Sequence, residues 1–419
     1  MQGSRTNIHH SISLVLASII GTILEFYGFT IFLIFGDIIA NNFFPPQDIT
    51  LSLLWVYAIF ASSFLMRPLG ATVFGYVGDK YGRQWALYAS ISLMGLTLFT
   101  IGMLPTYQSI GVLASIMIVL CRLLQGACAG GEYNNAGIFA IESFANRPAL
   151  AGSMIAFGAG LGALLAIGMK HFSQYPTEGL DLWRLPFLLG AVMSFMGFLL
   201  RRKIKEFSSL ERTQSFPWKA LLEYKGSSLT AFSIGAMDGA FAYLMVGFMG
   251  TYLHLFIGLP QAEGTQICMY AYVAYLISAP LIGYIADYVD THVLFRAIIL
   301  WIIPTTYFVF ILITNRSSSL VLIAVLIFAL MYAAISALQH AYLLSLFPPQ
   351  LRSRGVGVSF SLGGAIFGGG APLILTSLLG IYSDNMIPGY FLILVSLFCL
   401  STCMATSFKE PSRLAAYTP

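Results

Sequence analysis

The sequence predicts an all-α membrane protein of twelve transmembrane helices, arranged as two pseudo-symmetric six-helix bundles. Two observations predict this fold class: the composition, and a motif that occurs twice at about half the chain length. Of the 419 residues, 58% are hydrophobic and 9% are charged, whereas soluble domains carry about 25% charged residues. A soluble fold of this length cannot hide so much apolar surface, so we expect a lipid bilayer around it.

The repeated motif reads RPLGATVFGYVGDKYGR in residues 67–83, and a shorter copy reads APLIGYIADYVD in residues 279–290. Asp287 of the copy follows Asp79 of the motif by 208 residues in a chain of 419. A feature repeated at half the chain length indicates two similar halves, which is typical of membrane transporters.

Twelve apolar runs are each long enough to cross a bilayer, which takes about 20 apolar residues. They lie near residues 12–38, 51–77, 85–104, 109–140, 149–170, 184–202, 228–257, 265–286, 293–314, 319–346, 355–380 and 388–408. One long polar break separates the sixth run from the seventh. It divides the chain into an N-terminal bundle, a cytoplasmic linker loop and a C-terminal bundle, with bounds 1–205, 206–226 and 227–419.

The basic residues predict the orientation. With the N-terminus in the cytoplasm, 17 of the 21 Lys and Arg residues fall on the inner side, three on the outer side, and Arg122 within a span. By the positive-inside rule both termini are cytoplasmic, and we expect a multi-pass protein of the inner (plasma) membrane. The net charge of +4 gives no support for nucleic-acid binding. The five cysteines all lie in apolar runs, which favours helix contacts over a metal site.

Four stretches carry a resemblance to a known family. They are GTILEFY from residue 21, GDKYGR from residue 78, RLLQG with GGE in residues 122–132, and LFP through GG in residues 346–369. In these stretches the chain resembles the major facilitator superfamily, and within it the metabolite:proton symporter family of proline/betaine, α-ketoglutarate, citrate and shikimate carriers. The resemblance implies proton symport by alternating access, with no cofactor. The chain departs from the family pattern at Gly28 and Ser345, where the family usually has acidic residues.

Two charged residues inside spans are candidates for proton coupling. A charge at the centre of a span costs at least about 2.5 kcal/mol on insertion scales, so each one needs a reason. Glu25 lies near the middle of the first span and Arg122 near the middle of the fourth. We expect an ion pair that opens during transport, after which Glu25 takes up the proton because burial disfavours a lone anion. The alternative is a fixed pair that only braces the bundle.

Other polar and aromatic residues inside spans are candidates for substrate binding. Arg122 and Gln125 share a helix face and suit a carboxylate. Asp238 and Phe241 in the seventh span suit a cation, although Asp238 could instead form a hydrogen bond to a neighbouring helix. His340 in the tenth span is a further candidate, but a lone His is more often an interior side chain with its hydrogen bonds satisfied.

The repeated motif also predicts a cytoplasmic gate made of Arg67, Asp79, Arg83 and Arg352. Asp79 should face the N-terminus of the eleventh span, where the helix dipole favours an anion, and Arg83 should hold its carboxylate in place. In the resembling superfamily this arrangement latches the two halves on the cytoplasmic side. These charges also help to set the membrane orientation, and the two roles are compatible.

The sequence therefore predicts a secondary active transporter, expected to be monomeric, for a zwitterion such as proline or betaine or for an organic acid. One alternative is an exporter of the same fold, for a siderophore or a drug. A second is a receptor that binds its ligand without transporting it, which we would expect to carry a soluble domain or a long tail. No nucleophile–base pair or metal-ligand set is visible, so an enzyme is not expected.

Overall fold

The computed structural model describes residues 2–45, 49–81, 83–129, 132–144, 146–173, 181–203, 223–348 and 352–409, and all regular structure in these ranges is helical. The N-terminal half contains Gln2–Ile34 with Gly36–Phe43 (span 1), Ile49–Tyr81 (span 2), Arg83–Met103 (span 3), Val112–Cys128 with Glu132–Ser143 (span 4), Pro148–Ser173 (span 5) and Arg184–Lys203 (span 6). A short helix, Tyr107–Ile110, precedes span 4. The C-terminal half contains Lys225–Ile257 (span 7), Gln261–Ala286 (span 8), Thr291–Thr314 (span 9), Ser318–Ser345 (span 10), Arg352–Gly363 with Gly364–Gly369 and Ala371–Tyr382 (span 11), and Ile387–Lys409 (span 12).

The helices fit the predicted number of membrane crossings. In the described ranges, eight helices are long and apolar enough to cross a bilayer, and the bent pair Ser18–Ile34 and Gly36–Phe43 forms a ninth candidate. Shorter apolar helices supply the crossings of spans 3, 4 and 6. The predicted all-α, twelve-helix fold is confirmed. The predicted linker falls largely on residues 204–222, outside the described ranges, so the domain boundaries stay a prediction.

Several spans are interrupted where the sequence predicts continuous runs. Span 1 bends by 60° after Ile34, and span 4 divides after Cys128. Spans 7 and 11 contain wider π-helical turns at Leu244–Phe248 and Gly364–Gly369. Such irregular backbone inside a membrane protein is tolerated where it is buried in protein or lines a cavity.

Glycines allow neighbouring helices to touch. A Cβ on Gly235 of span 7 would overlap the backbone of Phe360 in span 11, and a Cβ on Gly363 would overlap the backbone of Phe232. Spans 1 and 5 meet in the same way at Gly162. Because lipid gives no hydrophobic driving force between helices, such close backbone contact is a main source of packing energy.

The two halves meet on both sides of the molecule's centre. Span 2 packs against span 11, span 5 against spans 8 and 10, and span 1 against span 7. At one end of the molecule, Asp37 forms an ion pair of 2.9 Å with Lys170 of its own half and accepts a hydrogen bond of 3.1 Å from Gln261 of the other half. At the opposite end the halves are joined by the polar contacts described below, so the centre is enclosed.

Candidate functional site

A small cavity lies between the two halves, about midway along spans 2 and 7. Its wall combines aromatic rings, one guanidinium, one carboxylate, one serine and small residues: Phe26, Phe64, Tyr133, Tyr243, Tyr332, Phe360, Arg67, Asp238, Ser361, Ala129, Gly235, Gly239, Ala242 and Gly364. Its volume is about 30 Å³, enough for a water molecule or two. A metabolite can therefore occupy it only after the helices around it have moved apart.

Arg67 supplies the positive charge of this cavity, so its predicted place at the cytoplasmic gate is wrong. Span 2 continues as a helix past Arg67, which puts Arg67 about 18 Å from Asp79 at 1.5 Å per residue. The guanidinium carbon lies 4.1 Å from the ring centroid of Phe64 and 4.6 Å from that of Phe29. It also interacts with the hydroxyl of Tyr243 in the other half. Arg67 thus belongs to the interface between the halves.

Asp238 supplies the negative charge of the cavity. Its side chain is 6% exposed, and its Oδ1 atom has no hydrogen-bond partner among the described residues. Gly235 and Gly239, on the same side of span 7, also line the wall and leave room beside the carboxylate. The Gln339 side chain of span 10 approaches Asp238. The structure therefore brings one cation and one anion to the same aromatic-walled space.

Arg122 lies outside this cavity and is fully buried. Its Nη1 atom donates hydrogen bonds to Oε1 of Gln125 at 2.6 Å and to the carbonyl of Phe29 at 3.4 Å, and its Nη2 atom donates to Ser63 at 3.4 Å. The guanidinium also lies over three rings, at 4.3–5.3 Å from the centroids of Phe29, Phe32 and Phe60. Arg122 and Gln125 bind each other here, and their predicted role in substrate binding stays a prediction.

The predicted ion pair between Glu25 and Arg122 is wrong for this conformation, because Glu25 is not among the contacts of Arg122. Spans 1 and 4 are antiparallel, and Arg122 lies beside Phe29. Glu25 instead lines a second cavity of about 20 Å³ inside the N-terminal half, with Cys128 and Ser194. Cys128 is six residues beyond Arg122, about 9 Å along the helix. Both charges lie near mid-span, as the sequence predicts, but at different depths.

Two further substrate candidates also lie off the cavity. The ring of Phe241 is fully buried and stacks on Phe328 at 5.3 Å between centroids. It is not part of this cavity wall, and its predicted role in substrate binding stays a prediction. The ring of His340 lies 5.0 Å from that of Tyr133 in the other half. A Cβ on Gly137 would overlap the His340 ring, which shows how closely the halves approach at this point.

The predicted gate residues Asp79 and Arg83 lie at the ends of described helices, but their side chains lie outside the described part of the structure. Their roles stay predictions. Arg352 does join the halves: its Nη1 atom donates to Oε1 of Glu142 at 3.3 Å, and its Nε atom donates to the carbonyl of Leu344 at 3.1 Å. The Arg352–Glu142 ion pair therefore links span 11 to the C-terminal end of span 4.

The shorter copy of the motif forms a contact of the kind expected from the first copy. The carboxylate oxygens of Asp287 accept hydrogen bonds from the backbone N–H groups of Ala149 at 2.8 Å and Leu150 at 3.2 Å. These groups form the N-terminus of span 5, where the helix dipole favours an anion. Beside them, Arg147 donates to the hydroxyl of Tyr288 at 2.9 Å. Sequence reasoning missed this latch, although the spacing of 208 residues between Asp79 and Asp287 marks it.

Two interlocked six-helix bundles around a central polar cavity define a secondary transporter, and comparisons with known proteins identify its family. The sequence matches the Major Facilitator Superfamily over residues 18–372. It is 30% identical to a Staphylococcus aureus (strain COL) protein named as a proline/betaine transporter, over 96% of this chain and 90% of that protein. It is 26% identical to the proline/betaine transporter of Escherichia coli (strain K12), over 97% of this chain and 85% of that protein. The chain belongs to the Major Facilitator Superfamily.

Solved structures agree with this assignment at the level of the fold. A D-xylose-proton symporter superposes with a TM-score of 0.73 at 15% identity, over 93% of this chain and 97% of its own. The E. coli xylose transporter, in a partially occluded inward-open conformation, gives a TM-score of 0.71 at 14% identity, over 96% of this chain and 98% of its own. The prediction of a multi-pass secondary transporter of small metabolites, rather than an enzyme, is confirmed.

The latch of Asp287 can be tested by substitution. Asp287→Asn removes the anion from the N-terminus of span 5, so the population in which the halves have separated at this end should rise about two- to fivefold. Distances between spin labels at the N-terminal end of span 5 and the C-terminal end of span 8 would measure this change. The matched control is Asp290→Asn, because Asp290 accepts a hydrogen bond of 2.8 Å from Val293 within its own half. An unchanged distance distribution in Asp287→Asn would limit Asp287 to a local role.

Proposed function

We propose that this protein takes up a small zwitterion, of the proline or betaine class, together with a proton. The observation that carries the proposal is the cavity between the halves, whose wall combines Arg67 and Asp238 with aromatic rings. A zwitterion is neutral overall but carries one negative and one positive group. Its site therefore needs a cation to bind the carboxylate and a second group to bind the positive end. The names of the relatives, proline/betaine transporters, support the same substrate class.

Arg67 is the proposed partner of the substrate carboxylate. A guanidinium presents parallel N–H groups that match both oxygens of a carboxylate. In the closed cavity Arg67 lies over Phe64 and Phe29 and has no ion pair with a described acidic residue. A substrate carboxylate would therefore supply the counter-charge that this partly buried cation lacks.

The aromatic rings are the proposed partners of the substrate cation. Tyr133, Tyr243 and Tyr332 lie on the same wall as Arg67 and come from both halves of the molecule. The face of an aromatic ring attracts ammonium groups, including quaternary ones, by about 0.5–2 kcal/mol. An aromatic wall tolerates methylated and cyclic cations alike, which would suit a carrier of both betaine and proline.

A buried carboxylate can carry the coupling proton. Among the described residues, Glu25 and Asp238 are the two buried acidic side chains, and they occupy different cavities. In this proposal Arg122 has a bracing role in the N-terminal half. The sequence alternative assigned that role to a fixed Glu25–Arg122 pair, but the partner of Arg122 in the structure is the amide of Gln125. The protein would act as a monomer, because each monomer contains a complete cavity.

The proposed substrate class can be tested with purified protein in proteoliposomes. Labelled glycine betaine and proline should exchange across the membrane, whereas di- and tricarboxylates should not compete. Arg67→Gln should weaken zwitterion binding about 10- to 100-fold, because a hydrogen-bonded charge contributes about 1.5–3 kcal/mol. Arg67→Lys keeps the charge but loses the paired N–H groups of the guanidinium, so its zwitterion affinity should lie between those of the wild type and Arg67→Gln.

Lys225→Gln is the matched control, because Lys225 is an exposed cation at the start of span 7, outside the cavity wall. Thermal unfolding of each variant checks that it is folded. Exchange of organic acids without exchange of zwitterions would overturn the proposal. Wild-type affinity in Arg67→Gln would remove Arg67 from the site.

We further propose that the protein lies in the inner membrane with both termini in the cytoplasm. The support is the distribution of basic residues: with Arg67 counted inside a span, 16 of them fall on the inner side and three on the outer side. Glu263→Cys, in the first turn of span 8, should then react with an impermeant thiol reagent in intact cells. Asp290→Cys, beyond the other end of span 8, should react only after the cells are broken. The five native cysteines are buried and should give little background. The reverse pattern would contradict the orientation.

A further inference from the structure

Three polar side chains form a bridge between the halves at the edge of the cavity. Gln339 of span 10 donates a hydrogen bond of 3.2 Å from Nε2 to the hydroxyl of Tyr133 in span 4. The Gln339 side chain also approaches the Asp238 carboxylate of span 7. Gln339 is fully buried and Asp238 is 6% exposed. A single amide thus touches both the cavity carboxylate and the opposite half.

Two acceptor atoms in this bridge lack a donor. Oδ1 of Asp238 and Oε1 of Gln339 are both buried, and neither has a hydrogen-bond partner among the described residues. An ionised carboxylate and an amide oxygen can only accept, so these two atoms cannot satisfy each other. A proton on Asp238 would turn the carboxyl group into a donor, and Oε1 of Gln339 is an available acceptor. One added proton could therefore satisfy both atoms.

The same proton would change the charge of the cavity. Besides Asp238, the groups near it that can carry charge in the described part of the chain are Arg67 on the wall and the hydroxyls of four tyrosines, from spans 4, 7, 8 and 10: Tyr133, Tyr243, Tyr275 and Tyr332. Tyrosines are neutral at physiological pH. With Asp238 ionised the wall is neutral overall, and with Asp238 protonated it carries the single positive charge of Arg67.

We propose that Asp238 carries the coupling proton and that Gln339 transmits its protonation to Tyr133 across the halves. This inference rests on the proposed uptake of a zwitterion. A proton from the outer solution binds Asp238 and leaves Arg67 without a counter-charge on the wall, so the substrate carboxylate binds more tightly. By linkage, bound substrate then holds the proton equally strongly. Both leave into the cytoplasm, one proton with each substrate.

Protonation also alters the bridge itself. When Asp238 becomes a donor, the Gln339 amide turns its oxygen towards Asp238, and its N–H group moves away from the Tyr133 hydroxyl. The Tyr133 hydroxyl can then keep its contact with Gln339 only by reversing the hydrogen bond and donating to the same oxygen that Asp238 uses. The tie between spans 10 and 4 is weakened, which favours separation of the halves. Gln339 is thus a positioning residue, and Asp238 is the group that binds the proton.

The test of Asp238 separates transport from coupling. A pH gradient of one unit can drive about tenfold accumulation by one-for-one symport. Asp238→Asn, which is permanently neutral, should retain a measurable part of the betaine exchange seen without a gradient but reach no accumulation with one. Glu25→Gln should still accumulate betaine about tenfold. Accumulation by Asp238→Asn would overturn the inference, as would loss of accumulation in Glu25→Gln alone.

The test of the bridge uses two variants that keep the size of the side chains. Gln339→Met and Tyr133→Phe should each lower the accumulation ratio and flatten the pH dependence of exchange, while exchange itself continues. The double variant should be no worse than either single one, because both remove the same hydrogen bond. The control is Tyr272→Phe, which removes another buried hydroxyl, outside the cavity wall and without a hydrogen-bond partner among the described residues. Wild-type coupling in both bridge variants would overturn the role of Gln339.

The two proposals fail in different ways. If the wild-type protein exchanges neither betaine nor proline, the proposed function is wrong. If exchange is intact but Asp238→Asn still couples to the proton gradient, only the inference about Asp238 is wrong.

Discussion

Two guanidinium groups lie inside the helix bundle on the faces of aromatic rings, and the rest of the site depends on how they are held there. A buried charge without a partner is costly in a low-dielectric interior. Arg67 and Arg122 both lie over Phe29, at 4.6 and 4.7 Å from the ring centroid, and neither forms an ion pair with a described acidic residue. Ring faces and neutral hydrogen-bond partners offset only part of the cost. The interior is therefore set up to receive an anion.

The aromatic cluster that holds these cations also joins the two halves. Phe60 and Phe64 of span 2 lie 5.4 and 4.9 Å from Tyr243 of span 7. When the halves rock apart, Arg67 must lose part of this environment or exchange it for substrate contacts. Under the proposed function, substrate binding and domain movement are linked through the same rings. Asp287 joins the halves at one end of the molecule, and Asp37 joins them at the other.

The fold was predictable from the sequence because membrane crossing depends on apolar length and on a repeat at half the chain. The depth of Asp238 was predictable from its position in the middle of an apolar run. That it faces protein was predictable because a charge at mid-span is costly in contact with lipid. The position of Arg67 was not, because a motif that ends in a loop does not reveal how far the helix extends before it. Nor could periodicity show that Glu25 and Arg122 lie at different depths on antiparallel helices. Helical periodicity predicts the side of a helix on which a residue lies. Whether two residues on different helices lie at the same depth depends on how far those helices are shifted relative to each other along their axes.

The most direct measurement is a structure of the purified protein with saturating glycine betaine. Zwitterion recognition in the cavity between the halves predicts a betaine carboxylate about 2.7–2.9 Å from the guanidinium nitrogens of Arg67. The trimethylammonium group should lie against the rings of Tyr133, Tyr243 and Tyr332. A carboxylate bound at Arg122 instead, or a ligand outside this cavity, would contradict the assignment of Arg67 as the substrate anchor.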